Sequence, residues 1–268
     1  MIKRATWTVI FANFLKFTSF LLPLLSVILL WEIIVDLKFV NPSLLPAPST
    51  IILTFLKLSI PDPIIFIHIY KSFYRLIIGY SLAMCAGIAL GLLMGTNRFI
   101  NQALFPIISL LIPLPTLAWV PLLLITLGIG DKTIVLAIFL GGFFPMVYNT
   151  MSGVKSIKKE MIWASQIMGA DKMTIFFKVL LPGSLVYIIA GSRLAIGYSW
   201  RALVGAEMLA ATEWGVGYLI YASKILYAVE VMFVGLAIIA LGGFLMDQLI
   251  MGPLEKKTIE KWGMIIER

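Results

Sequence analysis

The segment WASQIMGADKMTIFFKVLLP, residues 163–182, is the one polar interval long enough to fold as a separate unit between strongly apolar segments. It predicts a short helix over residues 163–168, a turn, and a second helix that enters the next apolar segment at Leu181 and Pro182. Gly169 can end the first helix because glycine adopts positive φ without strain, and Asp171 can cap the helix that follows. Pro182 is tolerated in the first turn of a helix, where a backbone N–H is not needed.

The composition indicates a membrane protein. Hydrophobic residues make up 61% of the 268-residue chain and charged residues only 13%, with a mean hydropathy of +1.03. A soluble fold of this length could not bury so much apolar surface, so lipid must be the solvent. The net charge of +8 does not indicate nucleic-acid binding, because no basic run is interleaved with aromatic residues in a polar segment.

The residues that usually carry chemistry exclude several classes of site. The chain has one cysteine, Cys85, and one histidine, His68, so disulfide frameworks, multi-cysteine metal sites and histidine clusters are excluded. No G-x-x-x-x-G-K-S/T motif is present to hold the phosphates of ATP. We therefore expect no catalytic residue, no metal ion and no cofactor in this chain, and any ATPase that drives it must be a separate polypeptide.

Apolar segments of membrane length predict about six spans, since about 20 residues cross the hydrocarbon core as a helix. The predicted spans are residues 18–36, 73–96, 101–127, 133–152, 184–208 and 231–251. They divide the chain into an N-terminal cytoplasmic segment (1–17), a membrane domain (18–252) and a cytoplasmic tail (253–268). Within the membrane domain the core covers about 65–252 and the polar loop covers 153–183. A cleaved signal peptide is the alternative for residues 18–36, but no A-x-A site follows them.

Two of the spans carry features that restrict their surroundings. Gly87, Gly91 and Gly95 recur every four residues, so one face of the second span is smooth enough for close packing with another helix. The third span contains the proline-rich run PLPTLAWVP, residues 113–121. A helix broken in this way must face protein or a water-filled path, because lipid cannot satisfy the freed backbone groups.

The distribution of cations predicts the orientation. Thirteen of the 21 lysines and arginines fall on the side of the termini and of the loop 153–183, six fall on the other side, and two fall within a span. This asymmetry places both termini and the loop in the cytoplasm. The connection 38–70 is then external, with a short amphipathic helix over residues 51–58 that Ser49 or Thr50 can cap.

The fifth predicted span contains two arginines, Arg193 near its middle and Arg201 further out. Unpaired cations at such depth cost about 2.5–3.5 kcal/mol on insertion scales, so both should face protein or water. One interpretation is a positive path for an anion, flanked by Tyr198 and Trp200. The other is structural: Arg193 binds backbone carbonyls, and Arg201 reaches the outer headgroups. We expect Glu207, near the outer end of the span, to offset the charge of one of the two arginines.

Residues 163–182 resemble the cytoplasmic loop of the permease subunits of bacterial ABC importers, which has the form E-A-A, three residues, G, nine residues, I-x-L-P. Ala164 and Ser165 match the two small residues of the motif, and Gly169 matches its glycine. Val179, Leu181 and Pro182 match I-x-L-P, whereas Trp163 stands where the motif has glutamate. The resemblance implies an all-α type I ABC importer permease fold, in which the short helix couples the membrane domain to an ATPase subunit. The coupling residues that it implies are Trp163, Ala164, Ser165, Met168, Gly169, Ala170, Asp171, Lys172 and Pro182.

Three further runs, PLPTLAWVPLLLITLGIG, GSRLAIGYSWRALVGAEMLAAT and WGVGYLI, are similar to the subfamily that imports nitrate, sulfonates, taurine or bicarbonate. Members that import pyrimidine or thiamine precursors are also similar. The resemblance covers about residues 42–247 and implies a homodimer in the inner membrane, two ATPase subunits that bind ATP and Mg²⁺, and an extracytoplasmic solute-binding protein. The candidate residues of the translocation path are Pro113, Pro115, Trp119, Arg193, Tyr198, Trp200, Arg201 and Glu207.

Two other classes of protein remain as alternatives. A secondary carrier would need internal inverted repeats and usually a buried acid for ion coupling, for which Glu207 is the candidate. A membrane-embedded enzyme would need a cluster of nucleophile, base or metal ligands, which one histidine and scattered acids do not provide. Co-purification with an ATPase would distinguish a permease from both.

Overall fold

The computed structural model of the protein describes residues 22–261, and all regular secondary structure in that range is helical. The helices are α1 (22–36), α2 (Pro48–Lys57), α3 (Ile64–Thr96), α4 (Arg98–Leu111), α5 (Val120–Leu127), α6 (Asp131–Lys155), α7 (Lys159–Ile167), α8 (Lys172–Ile175), α9 (Leu181–Ala210), α10 (Val216–Ile225), α11 (Val229–Leu245) and α12 (Gly252–Lys261). A 3-10 turn at Thr116–Trp119 precedes α5, and π-helical turns at Phe176–Leu180 and Met246–Met251 join α8 to α9 and α11 to α12. The predicted all-α class is confirmed.

Among the described residues, four helical stretches are long and apolar enough to cross a membrane. They are Ile64–Thr96, Asp131–Lys155, Lys172–Ala210 and Val229–Lys256. A fifth candidate is the pair Arg98–Leu111 and Thr116–Leu127, whose two helices meet at an angle of 96°. These five correspond to the second to sixth predicted spans. The first predicted span lies partly outside the described residues, and the segment 1–17 and the end of the tail lie wholly outside them.

The connection before α3 differs from the sequence prediction in two ways. The third helix begins at Ile64 and not near residue 73, so its first turns were wrongly assigned to the loop. Helix α2 begins at Pro48, which occupies the first turn, and no side chain caps it. The predicted cap Ser49 instead donates its hydroxyl to the Glu32 carboxylate over 2.6 Å.

Helices α3 and α6 pack closely and in parallel through a row of glycines. A methyl group added to Gly79, Gly87, Gly91 or Gly95 would lie 2.5–2.7 Å from a side chain of α6. The α6 residues that these methyl groups would approach are, in the same order, Ile138, Met146, Thr150 and Val154. Each lies 59 positions after its glycine in the sequence. The constant offset means that the two backbones run side by side in one direction. The predicted smooth face of α3 is confirmed, and α6 is the helix that covers it.

Helix α9 packs in the opposite direction on another side of α6. The contacting pairs are Gly142 with Ser199, Asn149 with Gly191, and Gly153 with Tyr187. Residue numbers increase along α6 in these pairs and decrease along α9, so the two helices are antiparallel. The α6 side chains between the two neighbours, which include Ile134, Ile138 and Val147, are fully buried. Helix α6 is therefore the central helix that fixes the positions of α3 and α9.

By contact density the described chain divides into two compact units. The smaller contains the residues up to Ile65 together with Ser223–Val234, and the larger contains Phe66–Ala222 and the residues from Gly235 onward. Within the smaller unit, Trp31 of α1 contacts Phe233, with ring centroids 5.6 Å apart. All of the candidate functional residues lie in the larger unit.

Candidate functional site

Helix α7 begins at Lys159, four residues earlier than predicted, and contains three of the predicted coupling residues, Trp163, Ala164 and Ser165. Its end is a Schellman motif. Gly169 has φ of +82° and donates its N–H to Gln166 O over 2.9 Å, and the N–H of Ala170 reaches Ser165 O over 3.0 Å. The predicted helix stop at Gly169 is confirmed, because positive φ strains every residue with a Cβ atom.

The second helix of this segment begins as predicted, with Asp171 as its cap. Its carboxylate accepts the backbone N–H of Thr174 over 3.1 Å, and hydrogen bonds from the side chain and backbone of Thr174 lower the pKa of Asp171. From Lys172 the chain stays helical through the π turn as far as Ala210. Pro182 lies in the first turn of α9. The segment around α7 is thus joined to the span α9 without a flexible break.

The surface of α7 and the following turn is apolar and exposed. Ile167 and Met168 are each 87% exposed and Trp163 is 56% exposed. Exposed lysines, among them Lys158 and Lys172, flank these side chains. A protein rarely leaves such a patch uncovered, so this surface has the character of a docking site for another macromolecule.

A cavity of about 770 Å³ lies between the bent segment that follows α4, the middle of α6 and one face of α9. Pro113, Pro115 and Trp119 of the bent segment line it. The α9 residues on its wall recur at helical spacing and include Leu194, Tyr198, Arg201 and Gly205. Helix α6 contributes Tyr148 and Asn149, among others. The predicted broken helix therefore borders a cavity, as the freed backbone groups of its prolines require.

The charge in this cavity comes from one side chain. Of the described residues that line it, Arg201 alone carries a formal charge, and its guanidinium lies 5.4 Å from the centre of the Tyr198 ring. A cation over an aromatic face is attracted by the ring quadrupole, which fixes the guanidinium on the cavity wall. Asn149 donates its side-chain amide to Pro145 O over 2.8 Å, which leaves its side-chain oxygen for other partners.

Three of the predicted path residues do not line this cavity. Trp200 is buried against α11 and donates its indole N–H to Ile239 O over 3.1 Å. Arg193 and Glu207 belong to two separate ion-pair clusters. The reason is helical geometry, because one residue along a helix turns the side chain by about 100°, so Arg193 and Trp200 leave the face that carries Leu194 and Arg201.

The Arg193 cluster consists of Arg193, Asp247 and Glu255. Nε and Nη2 of the arginine donate to the two Asp247 carboxylate oxygens over 2.8 and 2.9 Å, and its Nη1 contacts Glu255. The three side chains are 31–40% exposed. Arg193 is the thirteenth of the 30 residues of α9 and so lies near the middle of that helix.

The Glu207 cluster consists of His68, Ser72 and Arg75 of α3, Asp131 of α6 and Glu207 of α9. Arg75 Nη1 lies 2.8 Å from Glu207 Oε1, and its Nη2 lies 2.7 Å from Asp131 Oδ1. The Ser72 hydroxyl lies 2.8–2.9 Å from both Glu207 oxygens. The side chain of Glu207 is fully buried and that of Arg75 is 4% exposed. The expectation that Glu207 offsets Arg193 or Arg201 is therefore wrong, since its partner is Arg75.

Sequence reasoning missed three of these residues, although a signal was present. His68, Ser72 and Arg75 follow one another at spacings of four and three, which places them on one face of the helix. The prediction that the second span begins near residue 73 placed His68 in the connection 38–70, left Ser72 outside the span and counted Arg75 with the external charges.

Comparison with known proteins identifies the family. The family model described as "Binding-protein-dependent transport system inner membrane component" matches residues 87–255. The chain belongs to this family. It is therefore a multi-pass inner-membrane permease subunit of an ABC importer, as the loop at residues 163–182 predicted.

Two similar relatives support the assignment, and one solved structure shares the fold. The taurine transport system permease protein of Escherichia coli (strain K12) is 34% identical over 221 residues, which is 81% of this chain and 80% of that protein. A nitrate import permease protein of Synechocystis sp. is 34% identical over 184 residues, which is 69% of this chain and 66% of that protein. A chain of the inward-facing MetNI methionine ABC transporter shares the fold, with a TM-score of 0.63 and 18% identity over 74% of this chain and 99% of that one.

Proposed function

We propose that this permease translocates a small anionic solute of the sulfonate, taurine, nitrate or bicarbonate class through the cavity at Arg201. The observation that carries the proposal is the charge of the cavity wall, where Arg201 is the one charged side chain among the described lining residues. A cation in a mostly apolar cavity attracts an anion more strongly than it would in bulk water. The relatives named for taurine and nitrate have anionic groups in their solutes, which supports the same class here.

The polar groups near Arg201 supply further hydrogen bonds. Trp119 and Thr116 can donate from the bent segment, and Asn149 can donate or accept from α6. No carboxylate stands among the described lining residues, so nothing there repels an anion. The apolar and aromatic remainder suits the organic part of a sulfonate, and a flat pyrimidine-type solute is the second candidate because Trp119, Tyr148 and Tyr198 offer faces for stacking.

The proposed driving force acts through α7. Two ATPase subunits, which bind ATP and Mg²⁺, would each dock on the exposed apolar surface at Trp163, Ile167 and Met168 of one permease copy. Closure of the ATPase pair would draw the two α7 helices together. Because the helix from Lys172 to Ala210 is continuous, that movement would reach the cavity wall and rock the two permease copies from inward-open to outward-open. A solute-binding protein would then deliver the solute from outside.

In this proposal both termini and α7 lie in the cytoplasm. The lysines at 155, 158, 159, 172 and 178 surround α7, and this excess supports the cytoplasmic side. The loop that follows α9 then faces outward, since the 30 residues of α9 extend about 45 Å.

The first experiment tests the solute. The complex is extracted through a tag on this subunit, and its ATPase activity is measured with taurine, an alkanesulfonate, nitrate, bicarbonate and a pyrimidine precursor, each with its binding protein. We expect stimulation by one anion, a loss of at least tenfold in Arg201→Leu, and partial retention in Arg201→Lys. Arg98→Leu, at an exposed arginine of α4, is the matched control and should respond normally. Stimulation by the pyrimidine precursor alone would favour the second candidate, and absence of any co-purified ATPase would contradict the proposed docking on α7.

The second experiment tests the coupling. Gly169→Asp places a side chain at φ of +82° and distorts the end of α7, so we expect normal membrane insertion but ATP hydrolysis that no longer drives transport. Gly197→Ala is the control, because a methyl group added there meets no atom within 4 Å. Solute uptake into proteoliposomes with ATP inside measures both. Normal uptake by Gly169→Asp would contradict the coupling role.

A further inference from the structure

The cavity at Arg201 has a second polar group on its α6 wall, the side-chain amide of Asn149. The nitrogen of this amide donates to Pro145 O over 2.8 Å, and no other group among the described residues forms a hydrogen bond with the amide. Nitrogen and oxygen lie on opposite sides of the amide carbon, so the bond to the backbone of α6 turns Oδ1 away from that backbone. The amide therefore offers an acceptor to a solute in the cavity.

Pro145 adds a second acceptor to the same wall. It lies inside α6, where a proline has no N–H to donate to the carbonyl four residues earlier. That carbonyl belongs to Gly141, and both residues line the cavity. The α6 wall thus presents two oxygens, whereas the Arg201 guanidinium on the α9 wall can only donate.

Helix packing sets the distance between the cation and the amide. A methyl group added to Gly141 would lie 3.1 Å from Tyr198 O, and the Arg201 guanidinium lies over the Tyr198 ring. The positive charge is therefore close to the level of Gly141 along α6. Asn149 is eight residues further on, and its amide reaches back to Pro145 O. The helical rise then places the guanidinium and the amide about 6–12 Å apart along the axis of α6.

The wall between these two groups is apolar. Asn149 packs on Gly191 of α9. Leu194, three residues further along α9, lines the cavity before Tyr198 is reached, and Phe144 of α6 lines it as well. A trigonal oxyanion such as nitrate is too short to contact both ends, because all its oxygens lie one bond from the central atom. A solute that contacts both must carry its anionic group and a hydrogen-bond donor at opposite ends of a short carbon chain.

We propose that Asn149 is a specificity-determining residue, and that the solute is a small organic anion with a hydroxyl or amine at the end opposite its anionic group. The inference rests on the proposed function, because Arg201 must hold the anion for the other end to reach Asn149. Among the anions considered above, it selects hydroxy- and aminoalkanesulfonates over nitrate, bicarbonate and plain alkanesulfonates. A solute without the donor would leave the Asn149 oxygen unpaired, which is how a polar site rejects such an analogue.

The test measures solute binding to the complex of permease and ATPase subunits without a binding protein, so that the preference of that protein does not enter. Leu114→Cys in a Cys85→Ala background places the one thiol of this chain on the cavity wall. Alkylation of this thiol is followed by mass spectrometry, and the solute concentration that halves its rate is recorded. The three solutes are hydroxyethanesulfonate, aminoethanesulfonate and n-propanesulfonate, which has the same length but a methyl group in place of the donor.

With native Asn149 we expect the hydroxyl and amine solutes to protect the thiol at concentrations roughly 3- to 10-fold lower than propanesulfonate, the range expected for one hydrogen bond. Asn149→Leu, which keeps the shape and removes the amide, should abolish this preference. Asn149→Asp keeps an acceptor and should increase the preference for the amine. Asn101→Leu is the matched control, because Asn101 binds Lys155 and does not line the cavity, and it should leave all three concentrations unchanged.

The outcomes separate this inference from the proposed function. Equal protection by the three solutes with native Asn149, or an equal loss for all three in Asn149→Leu, overturns the role of Asn149. The proposed function stands in that case if Arg201→Leu still abolishes protection.

A second variant covers a failure of assembly. If Asn149→Leu yields no complex, Asn149→Asp decides, since an unchanged preference for the amine in that variant overturns the role. If none of the three sulfonates protects the thiol, the inference is overturned, and protection by nitrate would leave the proposed function standing.

Discussion

Arg75 and Arg193 each bind two carboxylates, yet their surroundings differ. Arg75 holds Asp131 and Glu207 with a side chain that is 4% exposed, and Glu207 is fully buried. Arg193 holds Asp247 and Glu255 with a side chain that is 40% exposed. The protein therefore contains two clusters of one arginine and two carboxylates, one inside the helix bundle and one at its surface.

The difference shows what burial does to an ion pair. In the Glu207 cluster the other hydrogen-bond partners of Arg75 and Glu207 are backbone groups and the Ser72 hydroxyl. They replace the water that each charged group loses on burial, and a buried charge requires such partners. In the Arg193 cluster water or a neighbouring chain can still reach the three side chains, so each can be solvated when the pair separates. We expect the first cluster to be costly to break and the second to be adjustable.

The largest expected effect is on removal of one buried partner. Arg75→Met leaves Glu207 buried without its cation and should cost about 3–5 kcal/mol of stability, whereas Arg75→Met combined with Glu207→Met should cost clearly less. Thermal unfolding of the purified complex, followed by tryptophan fluorescence, measures both. Equal losses in the single and the double variant would contradict this account of the pair.

The next effect tests how tightly the backbone is packed at each cluster. Gly217→Ala forces a methyl group to within 2.4 Å of Val204 O and should destabilise by about 1–3 kcal/mol. Gly252→Ala, next to the Arg193 cluster, meets its nearest atom, Asp247 O, at 3.4 Å, which is ordinary contact. That variant should be neutral or slightly stabilising, since alanine favours a helix over glycine. Thermal unfolding measures the stability of both glycine variants. A comparable loss of stability in the two variants would contradict the difference in packing.

A smaller effect is expected at the exposed pair. Arg193→Gln should cost about 1 kcal/mol or less, because pairs with this exposure gain little over solvated charges. Raising the salt concentration from 0.1 to 1 M should remove most of the stability difference between Arg193→Gln and wild type. The stability loss of Arg75→Met should remain at high salt. A penalty at Arg193 that is large and independent of salt would show that the assembled complex buries this cluster.

The last effect, similar in size to that at Arg193, concerns two buried threonines of α6. Thr133 donates its hydroxyl to Gly128 O over 2.6 Å, whereas the hydroxyl of Thr150 is buried without a hydrogen-bond partner. Thr133→Val should cost about 1 kcal/mol, because it leaves that carbonyl without its donor. Thr150→Val keeps the shape and removes a polar group without a partner, so it should be neutral or stabilising. The two variants differ only in position, so each is the control of the other in a denaturation assay.

Local features were predictable from sequence because each depends on a few consecutive residues. The helix stop at Gly169, the cap at Asp171 and the glycine row of α3 follow from backbone preference or helical spacing, and all three are present. Five of the candidate path residues, Pro113, Pro115, Trp119, Tyr198 and Arg201, do lie together on the cavity wall. Arg193 and Trp200 do not, because closeness in sequence does not mean a shared helix face.

The sequence by itself determined the solvent, the positions of five apolar spans and the helix stop and cap at Gly169 and Asp171, since hydropathy and turn chemistry act over short stretches of chain. Only the tertiary structure decided the partners of the charges. Arg75 and Glu207 are 132 residues apart, and Arg193 is 54 residues from Asp247. The first pair depends on how α3 and α9 pack around α6, and the second on how the turn after α11 packs on α9. Both are set by the whole bundle because no single helix can bury its own charges.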